Sequence, residues 1–320
     1  MTAILTRSYR PTWDEHNQLN LAAMFAPVRH GAADPCFRRI GDTVWRAFNS
    51  AAGAVTLRIQ RVSDGVEATA WGAGAAWAIE HLPVMLAADD DASTFDVRQF
   101  ANGVWHPHLR TRAVSLSRQW RPGAIAPLVD HLVASILEQR VTGIEAHRAW
   151  RYLVLNFGDV APGVVGADAG DVPANLRVPP APSQWQRIES WHWHRAGVDS
   201  ARADTIMRSV ARLDHREPDL VSPVHMAVLA QVRGIGVWTL ALLRQSVLAD
   251  ADAVQFGDFH TSHDVVHALT GEHRADDARM AQVLQPWMGD RYRVVRLVEL
   301  TGISAPRRGP RLAPADHRDR

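Results

Sequence analysis

The chain has 320 residues, of which 47% are hydrophobic and 22% charged, and its formal net charge is +1. This composition is typical of a soluble globular protein of one or two domains and argues against disorder. The single cysteine, Cys36, excludes disulfides within the chain, a zinc site of several cysteines and a four-cysteine iron–sulfur cluster. No segment has the ~18 apolar residues of a membrane span and the first residues lack a signal-peptide core, so the cytosol is the expected compartment.

Residues 1–105 are predicted to form a β-rich N-terminal domain. Short alternating runs between residues 42 and 72, separated by turn residues, predict the strands of an antiparallel sheet. A helix is expected over 73–87. After it comes a mixed stretch in which Asp89, Asp90 and Asp91 are expected to form an acidic patch.

From residue 106 onward the pattern is helical. Apolar residues spaced three and four apart predict a helix over 125–139, and a second helix over 143–157 ends at Gly158. Residues 159–183 are rich in Pro, Gly and Asp and are expected to form a long surface loop. Further helices are predicted near 184–195, 199–213, 223–232, 237–249, 259–269, 276–285 and 290–301.

These elements predict an α+β protein. An N-terminal antiparallel β-sheet domain is followed by a mostly α-helical core over 106–302 and by a basic C-terminal tail over 303–320. The tail is rich in arginine, which fits either contact with a polyanion or a solvated segment. All 35 fixed cations of the chain are arginine, because the sequence has no lysine. No ε-amine is therefore present to form a Schiff base.

The stretch V-R-G-I-G-V-W-T (232–239) lies between two predicted helices. A dinucleotide-binding loop would need a third glycine where Thr239 stands, and a Walker phosphate loop would need a lysine. The remaining interpretations are a helix–hairpin–helix motif and a plain turn without a ligand. In both, Gly234 and Gly236 are expected to give the turn its positive φ angles.

A hairpin of this kind predicts a phosphate site. The backbone of Arg233, Gly234, Gly236 and Val237 would offer N–H groups to a phosphate oxygen at the start of the following helix. The carbonyls of Val232 and Gly234 would hold a monovalent cation, Na⁺ or K⁺. No other cofactor is expected.

Asp258 lies in Q-F-G-D-F-H, shortly before another predicted helix. Taken alone, it is equally well explained as an N-cap. Together, the hairpin and this aspartate resemble the helix–hairpin–helix DNA glycosylase superfamily, whose motif is a Gly-x-Gly hairpin, a helix and a catalytic Asp. The resemblance covers most of residues 120–300 and is closest to bacterial 3-methyladenine-DNA glycosylase II, the inducible type of broad specificity. It implies an N-terminal sheet, a core of two helical subdomains and Asp258 as the catalytic residue.

Trp238 stands where the strand-nicking branches of this superfamily carry a Schiff-base lysine. The resemblance therefore implies a monofunctional hydrolase without lyase activity, and the absence of lysine supports the same conclusion independently. Cys36, as the lone cysteine, excludes the iron–sulfur branch of the superfamily.

The resemblance also implies a base pocket and an intercalating wedge. Trp238, Trp287 and Phe259 would hold a flipped, positively charged base between aromatic rings, and core packing is the alternative for each of them. Arg140, with Gln139 before it, would fill the gap that the base leaves. The alternative for Arg140 is a surface arginine at a helix end.

The expected function is excision of alkylated purines of the 3-methyladenine type from double-stranded DNA in base excision repair. The protein would act as a monomer in the cytoplasm, associated with the nucleoid, without a membrane or protein partner. Two alternatives stay open: a non-catalytic module that binds lesions or abasic DNA, and a glycosylase for oxidised or deaminated bases. His260, His263 and His267 have a spacing that suits zinc, but no Glu- or Cys-bearing motif accompanies them, so no such site is expected.

Overall fold

The computed structural model describes residues 3–164, 171–213 and 223–306. Its N-terminal part is an antiparallel sheet of β1 (Ile4–Tyr9), β2 (Phe37–Ile40), β3 (Thr43–Ser50), β4 (Gly53–Val62) and β5 (Gly65–Trp71). The strand order is β1-β5-β4-β3-β2. The prediction for residues 42–72 is confirmed as β3 to β5. The edge strands β1 and β2 lie outside it, because an edge strand with few buried residues lacks the alternation that marks a strand.

Both faces of the sheet are covered. On one face Phe48, opposite Val55 in the register, belongs to the first core, the buried cluster that joins the sheet to the helices behind it. On the other face Trp45 and Trp71 stack with their ring centroids 5.6 Å apart. Leu176 and neighbouring residues of the segment 159–183 cover these two rings.

The segment 159–183 is thus more than the predicted surface loop. Its described residues form a small two-stranded sheet of β6 (Asp159–Val160) and β7 (Arg177–Val178). Two exposed tryptophans on the sheet would leave a large apolar area in water, and this segment removes it. Residues 165–170 of the segment lie outside the described residues.

The helices confirm the predicted α+β class. They are α1 (Leu21–Met24), α2 (Ala75–Met85), α3 (Val97–Gly103), α4 (Pro107–Ser117), α5 (Leu128–Leu137), α6 (Gly143–Phe157), α7 (Pro182–Trp185), α8 (Ser190–Ala196), α9 (Ser200–Arg212), α10 (Pro223–Ala230), α11 (Val237–Val247), α12 (Thr261–Thr270), α13 (Asp277–Leu284) and α14 (Arg291–Thr301). Two helices, α7 and α8, replace the single one predicted over 184–195. Within the described ranges, no helix combines the length and apolarity needed to cross a membrane.

The bounds of α6 agree with those predicted because its ends carry strong local signals. Thr142 and Glu145 form a reciprocal capping box, in which the Thr142 amide donates to Oε2 of Glu145 at 2.8 Å. Gly158 is the C-cap. The neighbouring helix α5 is buried along its whole length and packs against both α9 and α11. It therefore forms the centre of the first core.

A second core lies among α3, α4, α12, α13 and α14. Its buried side chains include Phe100, Leu109, Val266, Met280 and Val294. Although α3 precedes residue 105, its Phe100 packs with the C-terminal helices rather than with the sheet. The domain boundaries given above stay a prediction.

A buried ion pair joins α14 to the loop after α2. The Arg293 guanidinium donates to both carboxylate oxygens of Asp90, at 2.7 and 3.0 Å, and to Asp290 at 2.6 Å. The side chains of Arg293 and Asp90 are each 4% exposed. The expected acidic surface patch is therefore wrong for Asp90, whose charge is neutralised inside the protein.

Candidate active site

The hairpin joins α10 to α11 through residues 231–236. The Ile235 amide donates to the Val232 carbonyl at 3.0 Å, and both side chains are buried. Gly234 has φ +101°, and a Cβ there would collide with the side chain of Thr205, so only glycine fits. Gly236 has φ −109° and faces open space, so the expectation of a positive φ there is wrong. The open space leaves the hairpin backbone approachable at Gly236.

The N-terminus of α11 has free backbone donors. No side chain caps it, and its first helical hydrogen bond runs from the Leu240 amide to the Gly236 carbonyl at 3.0 Å. The N–H groups between these two residues therefore have no acceptor within the helix. Val237 is 69% exposed, and Arg233 is exposed beside it. Open amides at the positive end of a helix dipole form a site for an anion.

Two side chains from other parts of the chain, one after α5 and one on α9, hold the hairpin carbonyls. Nε2 of Gln139 donates to the Gly234 carbonyl at 3.0 Å and to the Thr239 hydroxyl at 2.9 Å. Nη2 of Arg208, on α9, donates to the Arg233 carbonyl at 3.2 Å. The structure thus gives Gln139 a place on the hairpin rather than beside Arg140 in a wedge. Neither contact has a sequence signal, because both join residues far apart in the chain.

Asp258 lies between the hairpin and α12. Its Oδ1 accepts hydrogen bonds from the amides of His260 and Thr261 and from the Thr261 hydroxyl, each at 2.9 Å. Its Oδ2 accepts a hydrogen bond from Nε1 of Trp238 at 3.3 Å. The carboxylate therefore accepts from the first amide of α12, whose N-cap residue is His260 and which begins two residues later than predicted. It also contacts the hairpin helix through Trp238, which brings together the two motifs identified in the sequence.

The charge of Asp258 is stabilised where it lies. Burial acts to raise its pKa, but hydrogen bonds from His260, Thr261 and Trp238 outweigh that effect and hold the pKa below its usual value. The N-terminal end of the α12 dipole favours the anion as well. Asp258 is thus a carboxylate at neutral pH. Oδ1 has three donors and Oδ2 has one, so Oδ2 is the oxygen with capacity for a further partner.

Gly257 and Phe259, the neighbours of Asp258 in the chain, differ in how firmly other residues hold them. Gly257 has φ +90°, and its amide donates to Oδ2 of Asp277 at 2.7 Å, which anchors the loop to α13. Phe259 is 74% exposed, and its ring contacts His260 edge-on with 4.9 Å between centroids. Phe259 is therefore an aromatic surface adjacent to the carboxylate.

Trp287 lies with a different set of rings. It packs edge-on against Phe95 and Phe100, with centroid distances of 5.8 and 5.2 Å, on the second core. The structure therefore joins Trp238 to Asp258 and leaves Phe259 exposed next to Asp258 in the chain, while the ring contacts of Trp287 are those of a packing residue.

Arg140 occupies the loop between α5 and α6. It is exposed and has φ +57°, a left-handed conformation that is costly for a residue with a Cβ. The end of α5 below it is held by Arg202, which donates to the Leu137 carbonyl at 3.0 Å and pairs with Asp199 at 2.6 Å. An exposed, strained arginine on a braced loop is a candidate for function.

The histidines of α12 have backbone partners. Nδ1 of His263 accepts from the Ala275 amide at 3.2 Å, and Nδ1 of His267 lies 3.1 Å from the Glu272 carbonyl. Among residues 3–164, 171–213 and 223–306 no group of three or more His, Cys, Asp or Glu side chains has the geometry of a metal site.

A second group of side chains with shifted pKa values lies between β3 and α5, where no sequence motif predicts a site. Burial raises the pKa of Asp130 to about 7 and lowers that of His131 to about 4. Shifts of this size often mark active sites. Here, however, both side chains are buried beside a cavity of about 20 Å³, which has room for about one water molecule and none for a nucleotide. Asp130 accepts from the Asn49 amide at 3.2 Å, so the group fastens the sheet to α5.

The sequence matches no protein-family model and no curated protein. The fold, however, is similar to those of solved DNA glycosylase structures. The 3-methyladenine DNA-glycosylase from Archaeoglobus fulgidus matches with a TM-score of 0.65 over 94% of this chain and 98% of that chain, at 13% identity. The 8-oxoguanine glycosylase/lyase from Clostridium acetobutylicum, in complex with double-stranded DNA containing 8-oxoguanine, matches with a TM-score of 0.59 over 88% and 90%, at 10% identity. Its apo-form gives 0.61 over 93% and 95%, at 8% identity.

The chain therefore has the fold of DNA glycosylases, with the N-terminal sheet included. These structures come from enzymes named for different bases, one of them a glycosylase/lyase, so the shared fold leaves the base and the lyase step open.

Proposed function

We propose that this protein is a DNA glycosylase that hydrolyses the N-glycosidic bond of alkylated purines in double-stranded DNA, as a step of base excision repair. The observation that carries the proposal is the 3.3 Å contact between Nε1 of Trp238 and Oδ2 of Asp258. It couples an ionised carboxylate to a helix whose open N-terminus suits a DNA phosphate. A phosphate site and an anionic reaction site side by side are what excision of a nucleobase requires.

The carboxylate supplies the electrostatic part of the reaction. Departure of the base leaves positive charge on the deoxyribose, and a fixed anion near that charge lowers the barrier. One charge pair at about 4 Å with an effective dielectric constant near 20 contributes about 4 kcal/mol. This corresponds to roughly a thousandfold in rate. The second role of Asp258 is to orient the attacking water through Oδ2, since three donors already engage Oδ1.

The side chains at the site favour a base that leaves without strong acid catalysis. An alkylated purine ring nitrogen makes the base cationic and therefore a good leaving group. Trp238 and Phe259 offer rings beside Asp258, and aromatic faces attract cations. Trp287, packed on Phe95 and Phe100, would join this pocket only from the second core. Arg140 alone is proposed as the wedge that replaces the flipped base, because the amide of Gln139 is bonded to the hairpin.

The reaction is proposed to stop at the abasic site. The whole sequence contains no lysine, and Trp238 occupies the hairpin position at which a strand-nicking enzyme would need an amine. The product strand should therefore stay intact until alkali is added. Sodium borohydride present during the reaction should trap no covalent protein–DNA adduct.

The test is release of methylated purines from alkylated duplex DNA by the wild type, Asp258→Asn and Asp276→Asn. Asp276 caps α13 through the Arg279 amide at 2.8 Å, so it controls for loss of charge at a helix start. We expect a loss of about a thousandfold in single-turnover rate for Asp258→Asn and little change for Asp276→Asn. Equal rates for wild type and Asp258→Asn would refute the mechanism. Release of 8-oxoguanine or hypoxanthine but not of methylated purines, from a panel of lesion duplexes, would refute the substrate class.

A further inference from the structure

The three consecutive carbonyls of the hairpin all accept hydrogen bonds from the protein itself. The Val232 carbonyl accepts from the Ile235 amide at 3.0 Å, and the Gly234 carbonyl accepts from Nε2 of Gln139 at 3.0 Å. The Arg233 carbonyl between them accepts from Nη2 of Arg208 at 3.2 Å. A helix–hairpin–helix turn that holds a cation would direct such oxygens at the ion instead.

The hydrogen-bond donors around these carbonyls do not fit a site for a monovalent cation at Val232 and Gly234. Such an ion needs several oxygen lone pairs, and an amide hydrogen of Gln139 already takes one of the two on the Gly234 oxygen. The guanidinium of Arg208 is permanently charged and lies against the Arg233 carbonyl, so it would repel a cation bound close to it. The expectation of Na⁺ or K⁺ at this hairpin therefore disagrees with the residues that surround it.

The guanidinium of Arg208 is held in place by a second contact, on its own helix. Besides the Arg233 carbonyl, Nη2 contacts the Thr205 hydroxyl at 3.3 Å. Thr205 is buried one turn earlier on α9, and its side chain is the one that a Cβ at Gly234 would strike. The glycine, the threonine and the arginine thus form one packed unit on the inner side of the turn, and the opposite side at Gly236 is open.

We propose that this hairpin binds a DNA phosphate without a monovalent cation, because Arg208 supplies the positive charge and Gln139 engages the carbonyl that an ion would need. The proposal rests on the function proposed above. The Arg208 charge adds to the field of the open α11 amides, so the anion site is complete within the protein. Phosphate affinity should then depend on total ionic strength and not on which monovalent cation is present.

The experiment measures binding to a duplex with a tetrahydrofuran abasic-site analogue by fluorescence anisotropy. K⁺, Na⁺ or tetramethylammonium is the sole monovalent cation, at equal ionic strength and without divalent ions. Wild type, Arg208→Met and Arg212→Met are compared. Arg212 is an exposed arginine one turn further along α9 and controls for general loss of charge. Thermal unfolding of each protein shows whether the fold is retained.

We expect the wild type and Arg212→Met to bind equally in all three salts. Arg208→Met should bind about tenfold more weakly in tetramethylammonium, with part of the loss recovered in K⁺ or Na⁺, since removing a charged hydrogen bond exposes the carbonyl to an ion. Wild-type binding that needs K⁺ or Na⁺ would overturn this inference and leave the glycosylase proposal intact. Cation-independent binding by Arg208→Met, at wild-type affinity, would overturn the role of Arg208. No preference for the abasic duplex over intact DNA in any salt would refute the proposed function, and the inference with it.

Discussion

The two halves of the candidate site stand on different cores. The hairpin belongs to the first core, into which Val232 and Ile235 are buried, whereas α12 after Asp258 belongs to the second core through Val265 and Val266. Buried charged groups accompany both cores: Asp130 lies on α5 in the first, and Arg293 with Asp290 lies at α14 in the second. The Trp238–Asp258 contact therefore depends on how these two separately packed cores meet.

Directional polar contacts fix the relation between these cores. Gln245 on α11 donates to Oε1 of Gln255 at 2.7 Å, and Gln255 donates in turn to Glu299 on α14 at 3.1 Å. The Arg293–Asp90 ion pair ties the same helix to the loop after α2. Apolar surfaces alone allow sliding, but buried hydrogen bonds and ion pairs with defined geometry specify one arrangement.

Arg293→Met should have the largest effect on stability. It removes the closest side-chain partner of the buried Asp90 and Asp290, which leaves Asp90 with Arg121 at 3.5 Å and Asp290 with the Thr94 hydroxyl at 3.3 Å. Loss of a buried ion-pair partner costs about 3–5 kcal/mol. Arg291→Met is the matched control, because its ion pair with Asp252 is about a quarter exposed and should contribute about 1 kcal/mol or less. Urea unfolding measures both. Similar losses in the two variants would mean that the ion pair does not join the cores as described.

Gly234→Ala should destabilise the first core by about 2 kcal/mol, because it combines a left-handed backbone with a collision against Thr205. Gly236→Ala, in contrast, should leave stability unchanged, since its φ is −109° and no atom faces it. It should still weaken DNA binding by about fivefold if a phosphate approaches that open backbone. Thermal unfolding and anisotropy on the same proteins separate the two effects. A Gly236→Ala variant with full affinity would contradict the position of the phosphate.

Trp238→Phe should change the pH dependence of activity, because it removes the hydrogen bond that links the two cores. The variant keeps a ring but loses the Nε1 donor, so the pKa of Asp258 should rise from its lowered value. Activity requires the carboxylate and is lost as the pH falls through that pKa. The acidic limb of kcat/KM should therefore move to higher pH, with a decrease of about tenfold in rate at neutral pH. Trp191→Phe removes a comparable donor to Glu189 on the surface and should leave the profile unchanged. An unmoved limb in Trp238→Phe would contradict the assignment.

Arg140→Gly should have a small effect on stability, in the opposite direction to its effect on activity. Glycine relieves the φ of +57°, which should stabilise the protein by about 1 kcal/mol or less. Excision should nevertheless fall, because the wedge is removed. Ala249→Gly relieves a similar φ of +55° and should change stability without changing excision. Unchanged excision by Arg140→Gly would contradict a role in base flipping for the loop between α5 and α6.

Local patterns in the sequence account for much of the fold. The helical pattern over 143–157 and the glycine at 158 predicted α6, and the alternating runs predicted β3 to β5, because the signals for these elements lie within or next to them. The patterns failed where an element is defined by its partner. The edge strands β1 and β2 and the cover of the sheet by residues 159–183 depend on contacts with β5, β3, Trp45 and Trp71.

The candidate site divides in the same way. Gly234, Trp238 and Asp258 were proposed through the resemblance to the DNA glycosylase superfamily, which could be recognised because a hairpin, a helix and a carboxylate before the next helix form a local pattern. The contacts of Gln139, Arg208 and Trp287 could not be predicted, because each joins residues far apart in the chain. An isolated glutamine before an arginine has no feature that distinguishes a wedge from a ligand of the hairpin carbonyl.

The sequence by itself determined the class of chemistry that this protein can perform: with no lysine and a single cysteine, it offers neither a Schiff base on a lysine side chain nor a four-cysteine cluster. The tertiary structure decided which groups meet, namely Trp238 with Asp258, Arg208 and Gln139 with the hairpin carbonyls, and Arg293 with Asp90. The physical reason is that the functional groups of the side chains limit which reactions are possible, whatever the fold. Proximity, burial and hydrogen bonding arise only when two cores pack against each other.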